Sequence, residues 1–328
     1  MSRAIALTSA DRIAEAARCI NPVFLDSPQF ESDLLNARLG LRLVCKLETA
    51  NPIRSFKGRG TDYCVQVLPA GTERLVCASA GNFGQGLAYA ARARGIPLTV
   101  FAATTANPLK IDAMRRFGAD VQLAGADFDA AKDAARSFAS SSGSMYIEDG
   151  AVASVAEGAG TIALELGRYA APIETMLIPL GNGALVNGMG TWTRAHAPAT
   201  RIVGVAAVGA PAMEESWRLG SVISTRTAET IADGIAVRVP VPAALEAMRH
   251  VVDDVVLVTD EAIVAAMRLL FEALGVVVEP AGAAGLAAAM TYGERWAGQV
   301  VATPLCGGNL TSDQVSRWLT GPATPPAP

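Results

Sequence analysis

The chain has 328 residues, 51% of them hydrophobic, 18% charged and only 5% aromatic, with a formal net charge of −4. That length supports about two domains, each with a sizeable core. The acidic balance, the absence of a Lys/Arg run and the few aromatics exclude a nucleic-acid-binding surface and leave a small molecule as the expected partner.

Met1–Asp11 lacks the charged segment and long apolar core of a signal peptide. Beyond it, short apolar runs alternate with longer alanine-rich segments of helical period. A strand at Leu41–Leu47 leads to a helix at Phe56–Val67, one at Arg74–Ala78 to a helix at Phe83–Arg94, and one at Leu98–Ala102 to a helix at Leu109–Phe117. A strand at Asp120–Leu123 precedes helices at Phe128–Ser140 and Val152–Tyr169. Thr175–Leu180 leads to a helix at Ala184–His196, followed by strands at Arg201–Ala207 and Val255–Val258. Helices at Glu261–Leu274 and Gly282–Thr291 then precede a last strand at Val300–Leu305. This alternation predicts an α/β fold with two mostly parallel sheets. The small polar residues of Ser140–Ser144 mark the expected crossing between domains, and the Pro- and Ala-rich Thr320–Pro328 reads as a disordered tail. The most apolar stretch, Ala273–Met290, is broken by Glu279, Pro280 and several glycines, so no membrane span is expected.

Scarce residue types narrow the chemistry. The histidines are His196 and His250, both expected on helix surfaces and neither near a G-x-S-x-G elbow, which excludes a His-rich metal cage and disfavours a serine triad. Cys19, Cys45, Cys64, Cys77 and Cys306 are odd in number with no C-x-x-C pair, as expected of reduced thiols in a cytoplasmic protein. The lysines are Lys46, Lys57, Lys110 and Lys132 in a chain that otherwise uses arginine. A Schiff base requires a primary amine, so any such residue is one of these four.

Ligands in open α/β sheets bind beyond the carboxyl ends of strands, and three such ends are unusual here. Gly181-Asn182-Gly183-Ala184-Leu185 can converge backbone N–H groups and a helix N-terminus on a phosphate monoester; a strand-to-helix turn with no ligand fits it equally well. Ser79-Ala80-Gly81-Asn82-Phe83-Gly84-Gln85-Gly86 would suit a substrate carboxylate, although Ser79 or Asn82 acting only as a helix cap explains the same residues. The third end is Cys306-Gly307-Gly308-Asn309. In Thr49–Gly60, Ser55 is a candidate N-cap that puts Lys57 in the first helical turn. The helix dipole disfavours a permanent cation there and suits a nucleophilic amine, the alternative being an exposed lysine at a helix end.

Together these segments resemble the fold-type II (tryptophan synthase beta-like) pyridoxal-phosphate enzymes, and within them the threonine/serine dehydratases. The resemblance is carried in order by Ser55-Phe56-Lys57-Gly58-Arg59-Gly60, Ser79–Asn82, Gly181–Leu185, Ala232–Val237, Val278–Gly285 and Cys306–Asn309, over roughly Leu25 to Asn309. It implies two parallel-sheet α/β domains: a large cofactor-binding one from 1–47 and 145–319, and a small substrate-side one at 48–144. It implies that Lys57 holds the cofactor as a Schiff base and shuttles the α-proton, with Phe56 flanking the ring. Asn82 would meet the ring hydroxyl, Gly181, Asn182, Gly183, Ala184 and Leu185 the phosphate, and Cys306 the pyridine nitrogen. Ser79, Ala80, Gly81, Asn82 and Phe83 would hold the substrate. A neutral partner at the nitrogen makes the cofactor a weaker electron sink and favours prompt β-elimination.

The implied activity is a lyase reaction on a β-hydroxy amino acid such as threonine, serine or a bulkier analogue, giving a 2-oxo acid and ammonia in a cytoplasmic homodimer. In the resembling enzymes the cofactor phosphate protonates the leaving hydroxide. The alternatives are β-replacement, racemisation, or a binding protein without turnover. Phe83 replaces a common histidine, Ala80 stands where serine racemase has an acid–base serine, and the phosphate turn has fewer glycines than usual. Ala206 stands where many relatives have a cation-binding glutamate, so no metal is expected, and Glu214 and Glu215 read as solvated surface.

Overall fold

The structure is a computed structural model that describes residues 8–321. Its strands are β1 (Gln29–Glu31), β2 (Arg42–Leu47), β3 (Leu75–Ala78), β4 (Leu98–Ala102), β5 (Asp120–Leu123), β6 (Met145–Tyr146), β7 (Thr175–Pro179), β8 (Arg201–Ala207), β9 (Asp254–Val258) and β10 (Val300–Leu305). They form a six-stranded sheet in the order β1-β2-β10-β7-β8-β9 and a four-stranded sheet in the order β5-β4-β3-β6. Neighbouring strands are parallel except β1 and β2. Parallel pairs need crossovers, and the alanine-rich segments supply them as helices.

The α-helices are α1 (Ala10–Cys19), α2 (Asp33–Leu39), α3 (Lys57–Gln66), α4 (Asn82–Ala93), α5 (Pro108–Arg116), α6 (Phe128–Ser142), α7 (Ala153–Leu166), α8 (Ala184–His196), α9 (Ala212–Leu219), α10 (Pro242–Val251), α11 (Asp260–Leu274), α12 (Pro280–Tyr292) and α13 (Ser312–Val315). Strands β3, β4, β7 and β10 are buried along their whole length, as expected of parallel strands covered on both faces. The apolar stretch Ala273–Met290 resolves into the end of α11, stopped by Gly275 at φ 65°, and α12, buried from Pro280 to Ala289. A Cβ on Gly285 would stand 1.9 Å from Thr303 Oγ1, so α12 packs on β10 through bare backbone. Among the described residues no helix is long and apolar enough to cross a membrane.

Several expectations need correction. The crossing expected at Ser140–Ser144 is the end of α6: the Ser141 and Ser142 hydroxyls donate back to Phe138 O, and Gly143 closes the helix at φ 66°. The chain then adds β6 to the small sheet beside β3. Of the tail expected at Thr320–Pro328, Thr320 instead ends a wide helical turn, Ser316–Thr320, that buries Trp318 and Leu319. Residues 322–328 of that tail, like Met1–Leu7 of the N-terminal reading, lie outside the described residues. Glu214 is buried on α9 rather than solvated, and it accepts from Arg218 one turn on. Strands β1 and β6 are too short to show alternation, and α1, α2, α9 and α10 are further helices of the structure.

Beneath the start of α3 lies a neutral cluster of two cations and two carboxylates. Arg59 is fully buried and bidentate to both Glu48 (2.8 and 2.8 Å) and Glu165 (2.6 and 2.9 Å). Lys46 adds a 2.6 Å bond to Glu165. Burial acts against the Glu165 charge, but the Arg59 hydrogen bonds and the two cations hold its carboxyl below the usual range. The cluster joins β2, α3 and α7.

At the sheet edge, Glu31 accepts from Arg42 (2.6 and 3.1 Å), Tyr169 (2.7 Å) and Asn36 (2.8 Å). The Arg42 bonds, over the opposing effect of burial, hold its carboxyl at about 2. A depressed carboxyl stabilises the fold above its unfolded value and loses that contribution as pH falls towards 2. Glu31→Gln is therefore expected to cost about 1–2 kcal/mol near pH 7, with Arg42 half in solvent, and almost nothing near pH 2. Urea unfolding of both proteins at the two pH values checks this.

Candidate active site

Helix α3 begins at Lys57, and Phe56 rather than Ser55 occupies the N-cap, with helical φ −57° and ψ −22°. The Ser55 hydroxyl accepts from Lys57 N (3.4 Å) and donates to Cys306 O (3.2 Å), so it ties the loop to the turn after β10. Phe56 N also donates to Cys306 O at 3.0 Å. Arg54 has φ 52°, a region costly for any residue but glycine, and its guanidinium and carbonyl both bond the Gly308 backbone. Held this way, Lys57 is no exposed helix-end lysine. Its side chain is 15% exposed, and Nζ lies 4.8 Å from the Phe56 ring centroid, 5.9 Å from that of Phe83 and 2.6 Å from Asp149 Oδ2.

After β3, the Ser79 hydroxyl accepts from Gly81 N (3.2 Å) and Gly84 N (2.9 Å) and so holds the first turn of α4, whose N-cap is Gly81 rather than Ser79 or Asn82. Asn82 starts that helix with its side chain already braced: Nδ2 donates to Glu279 Oε1, and Oδ1 accepts from Asn309 Nδ2 at 2.9 Å. One Nδ2 hydrogen stays available for a ligand. Asn309 also donates to Ile53 O (2.8 Å) and, through its backbone, to Glu279 Oε2 (3.2 Å). One asparagine thus fastens the Lys57 loop, the start of α4 and the residue before α12. Burial raises the Glu279 carboxyl above its usual range.

After β7, Gly181 and Gly183 lead into α8. Gly183 sits at φ 88°, and a Cβ on Gly181 would lie 2.6 Å from Gly234 O. Side chains are barred at both positions, so the turn presents backbone to the cavity. The first N–H groups of α8 have no acceptor within the helix, which is the arrangement an anion requires. The Cys306 thiol, buried at the end of β10, has its pKa pushed up by burial and then by the Glu279 charge, and it donates weakly to Ala281 O at 3.8 Å. It stays a neutral S–H group.

Segments that follow strands of both sheets line one cavity of about 430 Å³, those after β2, β3, β6, β7 and β10 among them. Its wall contains Phe56, Lys57, Ser79, Ala80, Gly81, Asn82, Phe83, Gly181, Asn182, Gly183, Ala184, Leu185 and Cys306, so the structure brings every sequence-proposed site residue to one place. His196 and His250 take no part in that wall; both are exposed at helix ends. Sequence reasoning missed Asp149, which follows a two-residue strand, and it gave no role to Glu279 although it quoted the segment. It also missed Lys110–Asp233 and Arg238–Asp129, two ion pairs that cross the cavity wall between the two sheets' segments.

A family model described as pyridoxal-phosphate dependent enzyme matches residues 20–307. The chain is 34% identical over 281 residues to an L-threonine ammonia-lyase of Geobacter sulfurreducens, covering 85% of this chain and 70% of that protein. Among solved structures it superposes on the processed form of threonine deaminase isoform 2 from Solanum lycopersicum with a TM-score of 0.86 at 29% identity, over 95% of this chain and 89% of that one. It superposes on maize serine racemase with a TM-score of 0.89 at 28% identity, over 94% and 96%.

Proposed function

Since the chain belongs to the pyridoxal-phosphate-dependent enzyme family, we propose that it is a lyase that removes water and then ammonia from a β-hydroxy amino acid, releasing a 2-oxo acid. The residues present fit that cofactor. Lys57 offers the amine, the Cβ-free turn at Gly181 and Gly183 with the start of α8 would hold a phosphate, and Asn82 keeps one amide hydrogen for the ring hydroxyl. Phe56 would flank the ring. Bound there, the cofactor supplies an aldehyde for the substrate amine and a ring that takes up electrons from Cα.

The observation that carries the reading is the neutral, buried thiol of Cys306 at the end of β10, in the same cavity as the amine. A thiol does not donate a full proton to a pyridine nitrogen, so charge at Cα is poorly stored and loss of a β-substituent is favoured over a long-lived carbanion. Lys57 Nζ takes the α-proton. The Ser79–Phe83 backbone and the Ser79 hydroxyl orient the substrate carboxylate at the start of α4. Phe56 and Phe83 exclude water from the amine. The names of the similar lyases agree with this reading, and threonine and serine are the first substrates to try. Ala80 offers no hydroxyl for proton transfer from the opposite face, which argues against the racemase alternative. We take the unit on the six-stranded sheet as the cofactor-side domain and the unit on the four-stranded sheet as the substrate-side domain. We place the protein in the cytoplasm, in keeping with its free cysteines, as a homodimer.

The test is the release of 2-oxo acid by cofactor-loaded protein from a panel of β-hydroxy amino acids. Release from L-threonine or L-serine is the expected result. Release from none of the panel, with interconversion of enantiomers or thiol addition instead, would replace elimination by racemisation or β-replacement.

A further inference from the structure

Elimination fixes what leaves Cβ but not what stays on it, and the cavity wall bears on that. Three phenylalanines stand in the wall, Phe56, Phe83 and Phe128. Phe56 is assigned to the cofactor ring. Phe83 lies in the first turn of α4, and its ring centroid is 5.9 Å from Lys57 Nζ, beside the atoms that react. Phe128 is the first residue of α6, directly after the N-cap Asp127, and it is 40% exposed although it belongs to a concave wall. Among the described residues neither Phe83 nor Phe128 stacks on another ring. An open phenyl face in a ligand cavity is apolar surface that a bound molecule can cover. The wall also leaves room for such a molecule. Ala80, Ala228 and Ala236 line it with no more than a methyl group, and a Cβ on Gly81 would meet no atom within 4 Å.

The charged groups of the wall point the same way. Besides Lys57 its cations are Lys110, Lys132 and Arg238, and each already has a carboxylate: Asp233, Glu148 at 3.2 Å and Asp129. A second carboxylate on the substrate would have to break one of these pairs. We propose that the substrate carries an aryl group on Cβ, seated against Phe83 and Phe128, so that the preferred substrates are β-aryl-β-hydroxy amino acids such as L-threo-3-phenylserine. This substrate class rests on the elimination reading above. The α-hydrogen and the β-hydroxyl leave together as water, and the Cα–H electron pair becomes the second Cα–Cβ bond, with which the aryl ring conjugates. Hydrolysis of the released enamine takes up one water and gives an aryl-substituted 2-oxo acid and ammonia, with no oxidant or reductant required.

The test makes two measurements on protein loaded with pyridoxal phosphate. In the first, kcat/KM for 2-oxo acid release should be about 10–100-fold higher for L-threo-3-phenylserine than for L-threonine or L-serine, and lower for L-threo-3-hydroxyaspartate than for either. In Phe128→Ala the ratio of the phenylserine to the serine value should fall by about tenfold, mainly through a higher KM for phenylserine. The second measurement needs no turnover, because L-phenylalanine and L-alanine carry no β-leaving group. Titration of the lysine-linked absorption should show L-phenylalanine binding at least about tenfold more tightly than L-alanine to wild type, with the margin reduced in Phe128→Ala. Values for phenylserine and threonine within about threefold of each other, a preference for 3-hydroxyaspartate, or an unchanged ratio in Phe128→Ala overturns the proposal. If no β-hydroxy amino acid yields a 2-oxo acid while L-phenylalanine keeps its tighter binding, the elimination reading fails and the aryl pocket stands.

Discussion

Lys57→Ala is expected to remove both the lysine-linked absorption of cofactor-loaded protein and the release of 2-oxo acid, the latter by more than about 10³-fold. No other lysine can stand in. Lys46 is buried and bound to Glu165, Lys110 is held by Asp233, and Lys132 pairs with Glu148 at 3.2 Å. The glycine turn after β7 does not depend on the lysine, so the variant should still bind pyridoxal phosphate noncovalently, with the spectrum of the free aldehyde. Lys57→Arg is the sharper companion. It keeps a cation beside Asp149 but offers no primary amine, so it should be equally inactive. Spectra and 2-oxo acid assays of the three proteins decide the matter; a variant that retains the lysine-linked band would move the role to another residue.

The largest expected effect on stability comes from Arg59→Ala. Removing this guanidinium strands Glu48 and Glu165 in the interior, and breaking a buried ion pair from one side costs about 3–5 kcal/mol. The midpoint of thermal unfolding should fall by roughly 5–15 °C. The damage should reach the active site, since Arg59 lies two residues beyond Lys57 on α3 and Thr161 on α7 accepts from it at 3.0 Å. Lowered affinity for the cofactor without loss of the lysine-linked band is the signature that separates a supporting arginine from a reacting one. Thermal unfolding followed by circular dichroism, with cofactor titration, measures both.

Arg59 also shows where sequence reading stops. The residue stood in view beside Lys57 as part of a recognised string, yet nothing local said that its partners were Glu48 and Glu165. Asp149 is the converse case. It follows a strand of two residues, too short for a period of two to register, and its meaning comes only from the amine 92 positions earlier in the chain. Glu279 and Asn309 were quoted as parts of matching segments, but their joint hold on Asn82 depends on two strand ends meeting the start of α12. The Ser140–Ser144 stretch misled because small hydroxyl residues suit a loop and also fold back on the last turn of a helix.

Local rules reached a good deal. Alternation of apolar runs with alanine-rich periods determined two mostly parallel sheets, because side-chain period and strand length are properties of adjacent residues. Four lysines in an arginine-using chain bounded the reacting amine, and glycine turns at strand ends marked where backbone could meet an anion. Those conclusions needed no partner from elsewhere in the chain. Tertiary structure alone decided which carboxyl faces Lys57, which arginine neutralises the buried acids, and how the loops of two sheets share one cavity. Such pairings depend on distances in space, and residues 92 to 256 positions apart are brought together here only by packing of the two sheets and their helices.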